Sequence, residues 1–318
     1  MSRRPLRYGE GHRRGDGCLS VGPRTKQKSR LLKPMEINAQ TQFCGVIGNP
    51  VEHSLSPAIH NAAFQKLGLN FVYLAFRVEA IGDAIKGLRA LGSFRGASVT
   101  IPHKVATVPL LDSIEPTARH IGAINTIVAK GGTLTGYNTD ATGALRALRE
   151  GAVALKGRQV VILGSGGAAR AIAFALGTEP GIDRLTILGI DNQERTALVR
   201  DLQSKTGMTV QESSLNEGTL RKVLPDTHVL IHCTPMGMSP KLHETSVPVT
   251  LLHAGLTVMD IVYNPRDTRL LKDAKAAGCR TIPGLEMFLH QAAAQFELWT
   301  NQTAPADVMR AVLESRFS

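Results

Sequence analysis

Val160-Val161-Ile162-Leu163-Gly164-Ser165-Gly166-Gly167-Ala168-Ala169-Arg170-Ala171 is the stretch whose reading decides the fold. Four apolar residues read as a buried strand, the glycines as a tight turn, and the alanine-rich remainder as the start of a helix. That layout is the βα unit of a dinucleotide site. Gly164 permits the turn, Gly166 lets backbone amides approach a pyrophosphate, and the helix N-terminus faces the phosphates with partial positive charge. Gly164, Ser165, Gly166, Gly167 and Ala168 are therefore the candidate cradle. A loop that merely packs a strand on a helix has the same pattern, so the flanks matter. A second strand, Leu185-Thr186-Ile187-Leu188-Gly189-Ile190, follows at helix spacing and ends at Asp191. An acid at that point suits a ribose 2′-hydroxyl, although at 27 positions beyond Gly164 it is later than the usual ~20.

About half the chain precedes the glycine turn, so its chemistry is expected from an N-terminal substrate domain. The 318 residues suit two domains, each able to bury a core. No apolar run reaches the ~18 residues of a membrane span. The net charge of +11 looks like a nucleic-acid signal until it is located. Residues 1–34 hold ten Arg or Lys against Glu10 and Asp16, leaving only +3 for the rest. That segment has no helical or strand period and is expected to be disordered. A basic arm suits nucleic acid or an anionic membrane; the favoured reading is an upstream extension, with Met35 as the true start and no nucleic-acid or membrane partner. Cys18, Cys44, Cys233 and Cys279 form no Cys-x-x-Cys pair, and the ten histidines form no ligand cluster. No metal is expected, and the chain reads as reduced and cytoplasmic.

Strand-like and helix-like segments alternate from Phe43 onward. Strands are expected at Phe43–Ile47, Phe71–Val78 and Ala97–Ile101, with helices from Ser56 to Gly68 and through Leu91 between them. Ile121–Val128 and Gly132–Tyr137, joined by Lys130-Gly131-Gly132, read as a hairpin. Asp140 starts a helix through Glu150. After Asp191 come a helix through Gly207 and strands around Val210, Val229–Cys233 and Leu256–Val262. A helix from Thr268 to Gly278, a short strand ending at Pro283 and two helices, Glu286–Trp299 and Pro305–Phe317, complete the chain. Alternation on both sides of residue 143 implies two α/β domains with mostly parallel sheets.

Four polar stretches in the first half fall at strand ends, where α/β folds place ligands. Ser54 and Ser56, two residues apart before a helix, can jointly bind a carboxylate, or Ser56 is simply a helix cap. In Val99-Thr100-Ile101-Pro102-His103-Lys104, a lysine directly behind a Pro-stopped strand can exchange protons in a cleft, or be a solvated surface charge. Asn125 sits inside an apolar strand and needs partners, a polyol hydroxyl or backbone. Asp140 stands at a strand-to-helix junction, where aspartate is an ordinary cap; beside Lys104 it would hold the ammonium and tune it.

The run Val46-Ile47-Gly48-Asn49-Pro50-Val51-Glu52-His53-Ser54-Leu55-Ser56-Pro57, with Val99–Lys104, Gly122–Thr126 and Asn138-Thr139-Asp140, resembles the shikimate dehydrogenase family, quinate/shikimate dehydrogenases included. The glycine loop, Asp260-Ile261-Val262-Tyr263-Asn264-Pro265 and Gly284 through Trp299 also match, so the likeness covers roughly residues 43–300 in order. The resemblance implies two α/β domains with a cleft between them: a substrate domain at 40–142, completed by helices in 285–318, and a Rossmann-like NAD(P)-binding domain at 143–284, behind an extension at 1–39. It implies that Ser54 and Ser56 bind the carboxylate of a cyclohexane or cyclohexene acid. Asn125, Thr100 and Gln291 would hold ring hydroxyls, with Tyr263 lining the cleft. Lys104 and Asp140 would be the catalytic pair, Lys104 moving the proton of the C3 hydroxyl. Ile261 and Gly284 would line the nicotinamide. A monomer or a homodimer is expected.

Common members of the family end the second nucleotide strand with Asn-Arg-Thr or similar, whose arginine grips a 2′-phosphate. This chain has Gly189-Ile190-Asp191-Asn192-Gln193-Glu194-Arg195 instead. Asp191 would repel a phosphate and accept from a ribose hydroxyl, which favours NAD over NADP; Arg195, a turn later, is the competing phosphate ligand. Shikimate and quinate stay open, as does a non-catalytic ligand sensor on the same scaffold, although that reading predicts a broken Lys104–Asp140 pair or glycine loop, and both are intact.

Overall fold

The computed structural model describes residues 36–317, so the expectations for residues 1–35, Cys18 included, lie outside the described residues. In the first half, β1 (Gln42–Gly48), α1 (Ser56–Leu67), β2 (Phe71–Arg77), α2 (Ile81–Arg89) and β3 (Phe94–Val99) alternate as expected. The chain then departs from the expected pattern. A two-residue strand β4 (Ser113–Ile114) and a short helix α3 (Pro116–Ile121) stand where no element is expected, and α3 takes Ile121 from the strand expected at Ile121–Val128, which begins only at β5 (Thr126–Lys130). Pro116 opens α3 and the Glu115 carboxylate accepts from the Ala118 amide at 3.0 Å, the usual chemistry of a helix start. β6 (Thr133–Tyr137) completes the hairpin, and α4 (Asp140–Glu150) leads away.

The six strands form one sheet in the order β2-β1-β3-β5-β6-β4. β1 pairs in parallel with β2 and β3, while β5 runs antiparallel to both β3 and β6. The sheet is thus mixed rather than mostly parallel, because the tight Gly131-Gly132 turn can join only antiparallel neighbours. This reversal serves the site. The carboxyl ends of β1, β3 and β6 lie at the same edge as the amino end of β5, so residues following three strands and preceding a fourth converge there.

The second half comprises β7 (Gln159–Leu163), α5 (Gly167–Thr178), β8 (Arg184–Gly189), α6 (Asn192–Thr206), β9 (Val210–Ser214), α7 (Glu217–Val223), β10 (Val229–His232), β11 (Thr257–Asp260), α8 (Arg269–Ala276) and β12 (Arg280–Pro283). Its sheet, β12-β11-β10-β7-β8-β9, is parallel throughout. The strand order reverses between β7 and β10, the topological switch point at which such sheets bind ligands. The glycine turn follows β7 at that point.

The chain then returns through α9 (Gly284–Thr300) and α10 (Ala306–Glu314). Leu285, Phe288, Leu289, Ala292, Phe296 and Trp299 of α9, with Met309 and Leu313 of α10, pack with Ile59, Phe64 and Tyr73 of the first lobe. Among the described residues no helix is long and apolar enough to cross a membrane.

His60 of α1 is fully buried in this core, with neither ring nitrogen hydrogen-bonded. The rings of Tyr73, Phe64, Phe296 and Trp299 surround it. Burial alone pulls its pKa down to about 3. Between that value and the unfolded value near 6.5, the unfolded chain binds a proton that the folded chain excludes, so stability present above pH ~6.5 is lost as pH falls. Going from pH 7 to about pH 4.5, this one group is expected to remove about 2–3 kcal/mol. Urea midpoints of His60→Phe should lack that part of the acid slope; an unchanged slope would assign it to other groups.

Candidate active site

The loop after β1 brings Ser54 and Ser56 to the shared edge. Ser56 does not cap α1: the cap position is Leu55, with no side-chain hydrogen bond. Its amide instead donates to the Ser54 hydroxyl oxygen at 3.3 Å, and its own hydroxyl lies in hydrogen-bonding reach of the buried Tyr73 phenol. Tyr263, whose ring stacks on Phe288 at 4.0 Å, bonds to Ser54 through its phenol, and burial raises its pKa. The two serines and Tyr263 therefore form one group.

The fold brings Lys104 and Asp140 into contact. Nζ donates to Asp140 Oδ2 at 2.5 Å, with the lysine side chain 14% and the aspartate 6% exposed. Two local devices fix the pair. The His103 ring bonds the Val78 carbonyl at 2.7 Å, and the Lys104 carbonyl accepts from the Ile124 amide, which pins the loop after β3. On the other side Asn138 takes the capping duty, its Oδ1 accepting from the amides of Asp140 and Ala141. That frees the Asp140 carboxylate, so the helix-cap reading of Asp140 gives way.

Asn125, 2% exposed, is engaged on all sides. Its Nδ2 donates to Asp140 Oδ1 at 2.8 Å and Thr139 Oγ1 at 2.9 Å, and its Oδ1 accepts from the Thr139 amide at 2.8 Å. It thus holds the second oxygen of Asp140. Gln291 on α9 approaches Asn125 at 3.4 Å and donates to the Phe288 carbonyl at 2.9 Å. Thr100 packs over Gly48, at the mouth of the same edge.

The glycine turn meets this edge from the other lobe. Gly164 has φ +112°, and a β-carbon there would sit 3.0 Å from the Cys233 carbonyl, so glycine is required by conformation and by space. A β-carbon on Gly167 would fall 2.8 Å from Cβ of Lys104. Lys104 therefore lies directly against the start of α5. No side chain caps α5 at Gly166, and nothing would obstruct even a β-carbon there, which leaves the first amides available to an anion. These residues fit a dinucleotide. Ser165 lies beside Gly189 and bonds Glu194 at 3.4 Å, Ala168 sits in the first turn of α5, and Gly284 packs on the Ile261 carbonyl where no side chain fits.

At the end of β8 the structure gives both charged candidates other duties. Asp191 caps α6, accepting from the Glu194 amide at 2.9 Å. Arg195 is buried, with its guanidinium on Glu212, the Gly189 carbonyl and Asn192. Ile190, directly before Asp191 and just past the strand end, is 86% exposed. Cys233 is half-buried beside Asp260, Lys104 and Asp140, and desolvation raises its pKa. Among the described residues one potential cation cluster occurs, Glu150, Glu286 and His290, but Arg310 pairs with Glu286 and Arg146 with Glu150, so its carboxylates are already balanced.

With that geometry in place, similarity to known proteins is decisive. Residues 46–127 match a family model described as the shikimate dehydrogenase substrate binding domain, and residues 284–314 one described as the shikimate 5′-dehydrogenase C-terminal domain. A Moorella thermoacetica protein named shikimate dehydrogenase (NADP(+)) is 44% identical over 281 residues, covering 88% of this chain and 95% of its own length. The chain belongs to the shikimate dehydrogenase family. Shikimate 5-dehydrogenase from Listeria monocytogenes, solved with shikimate and NAD, superposes with TM-score 0.78 at 38% identity over 87% of this chain and 98% of its own. Quinate dehydrogenase from Corynebacterium glutamicum, solved with NAD, gives 0.78 at 32% identity over 86% and 99%. Membership makes the chain a two-lobed α/β protein of the nicotinamide-dependent dehydrogenase type, with both halves of the family's architecture present.

Proposed function

We propose that this chain catalyses reversible oxidation of a ring hydroxyl of shikimate, or of quinate, with a nicotinamide cofactor. The observation that carries the reading is the Lys104–Asp140 pair, sequestered at 2.5 Å and lying against the glycine turn. Residues 40–142 with α9 and α10 would hold the acid, and residues 143–284 the cofactor. Ser54 and Ser56 would donate to the carboxylate, with Tyr263 covering that end. Thr100, Asn125 and Gln291 would meet the ring hydroxyls. Lys104 Nζ would take the proton of the C3 hydroxyl on oxidation and return it on reduction, while Asp140 keeps the amine in place. The first amides of α5 would hold the pyrophosphate, and Ile261 and Gly284 would offer backbone to the nicotinamide, which supplies the hydride acceptor when bound. An initial-rate matrix of shikimate and quinate against NAD and NADP tests this, and absence of turnover in all four cells would reject it.

On the cofactor, similarity supports NADP, the alternative to the NAD preference expected from Asp191, because the Moorella relative carries NADP in its name. The strand end favours NAD as a second reading: Ile190 offers no charge, and Arg195 is engaged elsewhere. Ile190→Arg would place a free guanidinium at that end. It is expected to raise kcat/KM for NADP roughly tenfold, the worth of one charge-assisted hydrogen bond, with little change for NAD. An unchanged NADP value would move the 2′-phosphate away from the β8 end.

A further inference from the structure

We propose that Gln295 is a positioning residue that joins the two ends of the substrate site through a buried line of hydrogen bonds, a role that rests on the acid site proposed above. Gln291, Gln295 and Trp299 recur at four-residue spacing and so share one face of α9. They bond in turn to the Asn125 side chain, to the Asn125 carbonyl with the Thr126 hydroxyl, and to the Ile127 carbonyl. The helix is thereby keyed to three successive residues around the start of β5.

Gln295 is the branch point. Its Nε2 donates to the Asn125 carbonyl at 3.1 Å and Thr126 Oγ1 at 3.0 Å, which fixes Oε1 toward Ser98. The Ser98 hydroxyl donates to Oε1 at 2.7 Å and accepts from the Tyr73 phenol at 2.6 Å. The phenol proton is thus committed to Ser98, which leaves the phenol oxygen as the acceptor facing the Ser56 hydroxyl. In the other direction Thr126 donates to Asn125 Oδ1 at 2.8 Å, and Asn125 to Asp140, which holds Lys104. An unbroken line therefore runs from the carboxylate end to the proton-transfer end.

Tyr73, Ser98, Gln295, Thr126 and Asn125 are each 7% exposed or less, so solvent does not replace a missing member. The aromatic core beneath already docks α9 by burial, and an apolar face would serve that purpose without the desolvation of five polar side chains. What the line adds is a fixed separation between Ser56 and Asn125. An incoming carboxylate is a stronger acceptor than a phenol and accepts the hydrogen bond of the Ser56 hydroxyl, while Tyr73 stays bonded through Ser98.

Steady-state kinetics on the full chain tests the role with Tyr73→Phe and Ser98→Ala, which each remove one oxygen, their combination, and Gln295→Leu, with melting temperatures recorded for each. Tyr73→Phe and Ser98→Ala are expected to raise KM for the acid roughly 5- to 20-fold and to leave KM for the cofactor within about twofold. The double variant should be no worse than the poorer single one, because the line is already cut. Gln295→Leu should lower kcat as well, since Asn125 and Asp140 lose support. An acid KM unchanged in Tyr73→Phe and Ser98→Ala overturns the positioning role while the proposed reaction stands, and so does an equal loss for acid and cofactor. A wild-type chain inactive on both acids with both cofactors removes the reaction itself and this role with it.

Discussion

Lys104→Ala is expected to lower kcat about 10²- to 10⁴-fold, the usual contribution of a positioned acid–base group, with KM for the cofactor within about twofold. Among the described residues no neighbouring acid–base group is free to take over. His103 is bound to the Val78 carbonyl, Tyr263 to Ser54, and Asp140 is held by Asn125. The scaffold survives the change, because the Asp140 amide stays bonded to Asn138 and its Oδ1 to Asn125. Alanine also keeps the β-carbon that packs on Gly167, so the cofactor side of the contact persists. Loss of kcat at constant cofactor KM separates proton transfer from binding. Lys104→Met controls for volume and is expected to behave the same way. Wild-type turnover in either variant would remove Lys104 from the chemistry.

Much of this arrangement is legible in the sequence because periodicity and turn chemistry report local structure. The β7–α5 unit, the alternation around it and the Asp140 helix follow from apolar spacing and glycine placement. The α3 segment is not read that way. Ile121 runs straight into Ala123-Ile124, so the apolar run looks like strand, and only Glu115-Pro116 signals a helix. Asp191 and Asp140 show the limit more sharply. Both precede or open a helix, yet Asp191 caps α6 while Asn138 relieves Asp140 of that work. Which acid is released depends on a neighbour's rotamer, not on composition. The buried polar line is further from reach still. Ser98 and Gln295 are separated by 197 positions, and each alone reads as an unremarkable polar residue in an apolar element.

The His232–Asp260 pair was likewise invisible as a pair, and it carries the largest stability effect expected here. Asp260, fully buried at the end of β11, accepts from Thr268 Oγ1 at 2.6 Å and the Val262 amide at 3.0 Å, and pairs with His232 Nδ1 at 2.9 Å. Asp260→Ala leaves all of these groups without an acceptor in the interior, at about 1–3 kcal/mol for each stranded donor before relaxation. The net loss is expected near 3–5 kcal/mol, as for other broken buried pairs. At about 2–4 °C per kcal/mol for a chain of this size, Tm should fall by roughly 10 °C. The damage is local in origin but not in reach. Thr268 caps α8 through the Leu271 amide, and His232 bonds Thr234 beyond β10, beside the switch point that holds Gly164. KM for the cofactor should therefore rise together with the fall in Tm. Asp260→Asn keeps one acceptor and the side-chain shape, so it should lose less than half as much. Thermal unfolding followed by circular dichroism decides the matter: an alanine variant melting within about 2 °C of wild type would mean that the surrounding donors find new partners and that the pair does not hold the switch point together.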